Sequence, residues 1–260
     1  MSPQKLLILG GTGEAAALAR AAIARFGDTV SVTTALAGRT SRPGPIAGQV
    51  RIGGFGGAAG LAAYLTEHGI ERLIDATHPF AAEISTSARI ACERAGVPRL
   101  MLLRPAWRRH ALDRWIEVAS VEDAAALVAR LGRRAWLTLG RQAIAAFAPI
   151  TGVRFLVRLV NPPPEPLPLR FCEIVLGRGP FSLAEEHHLM QRHGIEVLVC
   201  KASGGAATEA KLIAARELSL PVIMVRRPAP EPGASVETVE AALDWLAGLP
   251  EHVPAAQRIR

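Results

Sequence analysis

The sequence predicts an α/β protein with two domains, each built on a mostly parallel sheet. Two observations carry this. Short β-rich apolar runs alternate with Ala-rich amphipathic segments along the whole chain, which is the pattern of β-α-β units. The alternation breaks across Arg104-Pro105-Ala106-Trp107-Arg108-Arg109, where a proline and a run of charges replace any period. With 260 residues the chain is long enough for two domains of ordinary size.

The elements follow in order. Apolar runs at 5–9, 30–34, 49–52, 72–75 and 99–103 read as strands, with helices at 14–26, 57–68 and 81–95 between them. Five strands alternating with helices make a doubly wound, Rossmann-like domain. Beyond the break a second series begins, with strands at 135–139, 155–159, 173–176, 197–200 and 222–225. Its helices fall at 121–131, 183–193 and 208–218, and a last helix at 236–247 closes the series. The expected domains are therefore 1–108 and 109–260. The proline run from Asn161 to Pro168 can be neither a central strand nor a helix interior, because proline donates no backbone hydrogen bond.

Composition narrows the function. Half of the residues are hydrophobic and 20% are charged, which suits a packed core rather than disorder. Charges, Gly or Pro interrupt every apolar run before the roughly 18–20 residues that span a bilayer. The N-terminal apolar segment is too short for a secretory signal, so a soluble cytoplasmic protein is expected. Cys92, Cys172 and Cys200 show no C-x-x-C spacing, against a disulfide framework or a structural zinc site. The formal charge of +7 comes from scattered basic residues without aromatic stacking motifs, which favours a small polyanion over nucleic acid. Monomer and homodimer are equally compatible with the sequence.

The most informative turn is Gly10-Gly11-Thr12-Gly13-Glu14-Ala15-Ala16, which follows the first strand and opens an Ala-rich helix. Its G-x-G-x-x-A spacing supplies a tight turn, close approach to a pyrophosphate and close helix-strand packing, and the helix N-terminus attracts phosphates. The second strand ends at Thr33-Thr34, where an NAD site would normally present an acid to the ribose. Arg39, Thr40, Ser41 and Arg42 follow instead and suit a 2′-phosphate through charge-assisted hydrogen bonds. Gly10 to Glu14, Thr34, Arg39 and Thr40 are thus expected to bind NADPH. A P-loop is excluded, since Lys5, Lys201 and Lys211 are the only lysines and none follows a glycine. The only tyrosine, Tyr64, is followed at four places by His68, so a Tyr-x-x-x-Lys acid-base couple is excluded too.

Two further clusters stand at strand ends, where open α/β sheets bind ligands. In Asp75-Ala76-Thr77-His78-Pro79-Phe80 the imidazole could orient substrate or handle a proton, or Asp75 and Thr77 could simply cap the next helix. In Lys201-Ala202-Ser203-Gly204-Gly205 through Thr208-Glu209-Ala210-Lys211, glycine-rich backbone could offer N–H groups to a carboxylate beside a mobile ammonium. Thr208 could equally cap a helix. His187, His188 and His193 lack the i,i+4 spacing that turns two imidazoles to one ion, so no metal site is expected.

Together these stretches resemble the precorrin-6A reductase family, including its cobalt-precorrin-6A relatives. The likeness rests on Ile8 to Glu14, Ile74 to Ala81, Lys201 to Gly205 with Thr208 to Lys211, and Glu217 to Pro228, in order along nearly the whole chain. Ala202 stands where an asparagine is expected. The resemblance implies NADPH-driven reduction of a double bond in a polycarboxylate macrocycle, with two Rossmann-like domains and the active site in the cleft between them. It further implies Lys201, His78 and Asp75 as catalytic residues, and Thr77, Pro79, Phe80, Ser203, Gly204, Gly205, Thr208 and Lys211 as substrate-binding residues. Two rival readings are a methyltransferase acting on the same tetrapyrroles, which would want an acid at the second strand end, and a non-catalytic NADPH-binding regulatory module.

Overall fold

The computed structural model describes residues 2–38 and 44–248. In chain order the regular elements begin with β1 (Gln4–Leu9), α1 (Gly13–Phe26), β2 (Val30–Leu36), β3 (Gln49–Ile52) and α2 (Gly57–Glu67). Next come β4 (Arg72–Asp75), α3 (Ala82–Ala95), β5 (Arg99–Leu102), β6 (Trp115–Val118), α4 (Val121–Leu131) and β7 (Arg134–Thr138). The series ends with β8 (Arg154–Leu159), β9 (Cys172–Leu176), α5 (Leu183–Arg192), β10 (Val197–Lys201), α6 (Ala210–Glu217), β11 (Val222–Val225), β12 (Ser235–Val236) and α7 (Val239–Leu246).

The described residues up to Arg104, joined by those from Pro228 on, form one compact unit, and Pro105–Arg227 form the other. The first unit holds a six-stranded sheet in the order β12-β5-β4-β1-β2-β3, parallel throughout. Strand β1 shows why the pattern reads as a continuous apolar run: both of its faces are covered. Leu6 and Ile8 pack against Leu18, Ala22, Ile74 and Leu100 on one face, while Leu7 and Leu9 meet Leu61, Leu65, Leu73 and Ala88 on the other. Helix α1 buries Ala15, Leu18, Ala19 and Ala22, spaced as one helical stripe whose small residues allow close approach to the sheet.

The second unit holds another six-stranded sheet, in the order β6-β11-β10-β7-β8-β9, also parallel throughout. One face of its core gathers Trp115, Trp136, Leu156, Met190, Leu198, Leu212 and Met224. Five of its strands, β11-β10-β7-β8-β9, repeat the winding of β5-β4-β1-β2-β3 in the first sheet, with β7 in the place of β1 and β10 in the place of β4.

The units therefore divide the chain differently from the contiguous halves 1–108 and 109–260. The expected break is four residues past Arg104, but the closing segment belongs with the first unit. Ser235 and Val236 pair with Met101 and Leu102 of β5, α7 supplies Ala242, Leu243 and Leu246 to the first core, and Asp244 pairs with Arg25 at 2.7 Å. A two-residue strand carries no periodicity, and an amphipathic helix does not declare which sheet it covers. Strand β6 was likewise unannounced. The proline-rich stretch forms neither strand nor helix, as its composition requires. No described helix is long and apolar enough to cross a membrane.

Candidate active site

Each sheet has one place where the winding reverses, between β1 and β4 in the first and between β7 and β10 in the second. Crevices open at the carboxyl ends of the strands at such points. The glycine turn and the Asp75–Phe80 segment flank the first, and Lys201 ends β10 beside the second.

The glycine turn is tied in place by its own residues. Gly10 donates to the Ala35 carbonyl at 2.9 Å, and a Cβ on Gly10 would stand 2.8 Å from Thr34 Cγ2, so only glycine allows this approach. Gly11 takes φ +104°, a left-handed conformation that suits glycine. Thr12 caps α1 by accepting from the Ala15 N–H at 3.1 Å and donates from Oγ1 to the Ala76 carbonyl at 2.7 Å, which fastens the turn to the end of β4. A Cβ on Gly13 would meet nothing within 4 Å, so the space before the helix N-terminus is open. Glu14 is engaged by Arg104 Nη2 at 2.6 Å; burial pulls the Arg104 pKa down, against the Glu14 charge. Thr34 is fully buried in β2, its hydroxyl has no hydrogen-bond partner, and its methyl group lies against Gly10. Arg39, Thr40, Ser41 and Arg42 lie outside the described residues.

At the end of β4, Asp75 is buried, with 3% of its surface exposed. Its Oδ1 accepts from the Thr77 backbone at 3.1 Å and from the Thr77 hydroxyl at 2.7 Å. Asp75 thus shapes the turn through Oδ1, while its Oδ2 is buried without a hydrogen-bond partner. His78 accepts at Nδ1 from the Phe80 N–H at 3.2 Å, and its ring stands 5.8 Å from that of Phe80. His78, Pro79 and Phe80 are all partly exposed. With Nδ1 accepting, the neutral tautomer that fits this contact has its N–H at Nε2.

The second loop is held more firmly. Ala202 and Ser203 present their carbonyls to Arg227, whose Nη2 lies 2.8 Å from the Ser203 oxygen. Gly205 donates to the Pro105 carbonyl and accepts from Trp107 Nε1 at 2.8 Å. Gly204 takes φ +68°, and a Cβ there would fall 2.1 Å from the Pro105 oxygen. Lys211 is 4% exposed, donates to the Thr208 carbonyl at 2.7 Å and lies 5.0 Å over the Trp107 ring, contacts that brace the loop. Burial lowers its pKa to about 8. Lys201 remains partly exposed at the strand end, while its neighbour Cys200 is buried, with a thiol pushed up to about 11.

Sequence reasoning missed Arg104, Trp107 and Arg227, which act through contacts distant in sequence. It also missed the end of β7, where Thr138 donates to the Val199 carbonyl at 3.2 Å and Gly140 turns the chain with φ +81° into Arg141 and Gln142. That turn is the counterpart of Gly10–Glu14 in the second sheet, and its single glycine gave too little signal to mark it. Among the described residues no group of side chains is arranged to hold a metal ion.

Two wound parallel sheets with such loops at their reversal points place the chain in the doubly wound α/β class, which binds ligands at those points. The family model of the Precorrin-6x reductase CbiJ/CobK matches residues 5–247. A precorrin-6A reductase of Rhodococcus erythropolis is 46% identical over 246 residues, covering 94% of this chain and 98% of that protein. A cobalt-precorrin-6A reductase of Salmonella typhimurium is 31% identical, covering 88% and 90%. Among solved structures, CobK precorrin-6A reductase superposes with a TM-score of 0.89 at 41% identity, covering 96% of this chain and 99% of its own. The chain belongs to the Precorrin-6x reductase CbiJ/CobK family. Membership in this reductase family implies a nicotinamide cofactor.

Proposed function

We propose that this protein catalyses the NADPH-dependent reduction of one ring double bond of precorrin-6A to give precorrin-6B, a step of cobalamin biosynthesis. The reading is carried by the unbroken family match over residues 5–247, and it accords with identities that are higher to a precorrin-6A reductase, 46%, than to a cobalt-precorrin-6A reductase, 31%. A bound dinucleotide fits the first reversal point. Gly11 is left-handed, Gly13 leaves open space, and the N–H groups of Gly13 and Glu14, which come before those that Thr12 caps, can face a pyrophosphate. Reduced nicotinamide supplies the hydride when bound.

The remaining work falls to the chain. Gly11 to Glu14 would hold the pyrophosphate, with Arg104 keeping the Glu14 carboxylate away from it. Arg39 and Thr40 would take the 2′-phosphate. Thr77, Pro79 and Phe80 would shape the acceptor side, and His78, with Nε2 as donor, would orient the substrate. Lys201 would pair with a substrate carboxylate or deliver the proton that accompanies hydride transfer, while Ser203, Gly204 and Gly205 would border the macrocycle.

Incubation with NADPH and precorrin-6A is the test. Loss of nicotinamide absorbance with a product two hydrogens heavier supports the proposal. Methyl transfer from S-adenosylmethionine without NADPH oxidation would instead mark a methyltransferase, and NADPH binding without turnover a regulatory module. For the cofactor itself, Arg39→Ala with Arg42→Ala should raise the NADPH Michaelis constant at least about tenfold, the loss of charge-assisted contacts to the 2′-phosphate, and leave NADH kinetics unchanged.

A further inference from the structure

We propose that a cavity at the amino ends of β7, β8 and β9 is a binding site for a small anion bearing two or more charged oxygen groups, at the sheet edge opposite the second reversal-point loop. The cavity measures about 510 Å³ and is lined by Arg134, Arg154, Arg170 and Arg192. These arginines are far apart in sequence, which is why the basic residues read as scattered; the parallel winding brings them to one edge. Arg134 and Arg154 open β7 and β8, Arg170 precedes β9, and Arg192 ends α5. The opposite edge, where Thr138 and Lys201 stand, is about 13 Å away along the strands.

Among the described residues none of the four arginines forms an ion pair with a carboxylate. The one acid in the lining, Glu173, is engaged by His193 at 3.2 Å. Arg134 donates to the His193 carbonyl at 3.3 Å. Arg192 has a local reason for its place, since a cation in the last turn of a helix is favoured. Arg154 and Arg170 have none. Both are instead held over Phe171, at 5.9 and 5.5 Å from its ring centroid, and that ring is 47% exposed. An exposed aromatic that stations two guanidiniums at a concave surface is a preorganised arrangement. Like charges gathered in a concavity focus the field and raise local anion concentration. Guanidinium forks match the paired oxygens of phosphate and carboxylate groups.

Isothermal titration of the full chain with inorganic diphosphate, and separately with citrate, at low ionic strength tests the proposal. Saturable binding of either anion in the wild type is expected, weakened at least tenfold by Arg154→Glu with Arg170→Glu. Binding of diphosphate alone assigns the phosphate class and of citrate alone the polycarboxylate class; binding of both supports the site as stated. Should the double variant lose its circular dichroism signature, the single Arg154→Gln and Arg170→Gln variants provide the comparison, each expected to weaken binding. The proposal is overturned if neither anion binds saturably, or if the folded variants bind as tightly as the wild type.

Discussion

Lys201 and Lys211 are ten residues apart in sequence, and their surroundings give them different work. Lys201 is partly exposed at a strand end, so Lys201→Ala should lower kcat/KM at least about tenfold, or roughly 1.4 kcal/mol of transition-state stabilisation. Lys201→Arg then separates its two roles. Recovery marks pairing with a carboxylate, whereas continued loss confined to kcat marks proton delivery, because guanidinium holds its proton too tightly. Lys211 is a matter of stability. The folded chain releases its proton above about pH 8, whereas the unfolded chain keeps it to about 10.5. The unfolded state therefore binds more protons in that window, so stability rises with pH there, by up to roughly 1.4 kcal/mol per unit. The Cys200 thiol, raised from 9.0 to about 11, works in the opposite direction above pH 9. Urea unfolding at pH 7, 8 and 9 should show a rise in the wild type relative to Lys211→Met; parallel profiles would rule this out. At this scale the sequence identified which loops matter but not which side chains within them face outward. Thr34, Asp75 and Lys211 look like ligand contacts in the sequence, and their burial is set by packing partners distant in the chain that no local pattern announces.

Glycines separate the two kinds of loop at the level of elements. A Cβ on Gly204 would strike the Pro105 carbonyl at 2.1 Å in a left-handed backbone, so Gly204→Ala should cost on the order of 2–4 kcal/mol and lower Tm. A Cβ on Gly13 meets nothing within 4 Å. Gly13→Ala should fold within about 0.5 kcal/mol of wild type while weakening NADPH binding, measurable by fluorescence titration. Equal loss of Tm in both variants would contradict the distinction. The central strands were legible because parallel strands covered on both faces are nearly continuous apolar runs, and β1, β4, β10 and β11 stand out for that reason. Strand β6, a four-residue edge strand in which only Trp115 is buried, and the two-residue β12 are specified by partners rather than by local pattern.

Over the whole molecule, the sequence announced two wound sheets but not the path of the chain between them. The segment Pro105–Arg227 contains all six strands of the second sheet, so as a separate fragment it should fold, with cooperative thermal unfolding. A fragment ending at Arg104 lacks β12 and the α7 side chains that close the first core, and it should remain unfolded by circular dichroism. A folded, cooperative 1–104 fragment would show that the return of the chain is dispensable. That return also has a consequence for synthesis on the ribosome. The first unit to emerge is the last that can be completed, because α7 is made roughly 130 residues after β5, on the order of ten seconds later at ordinary elongation rates. During that interval the nascent first sheet waits with an unpaired edge while the second can already close, so premature termination late in the message would spare the second unit and leave the first one unfinished.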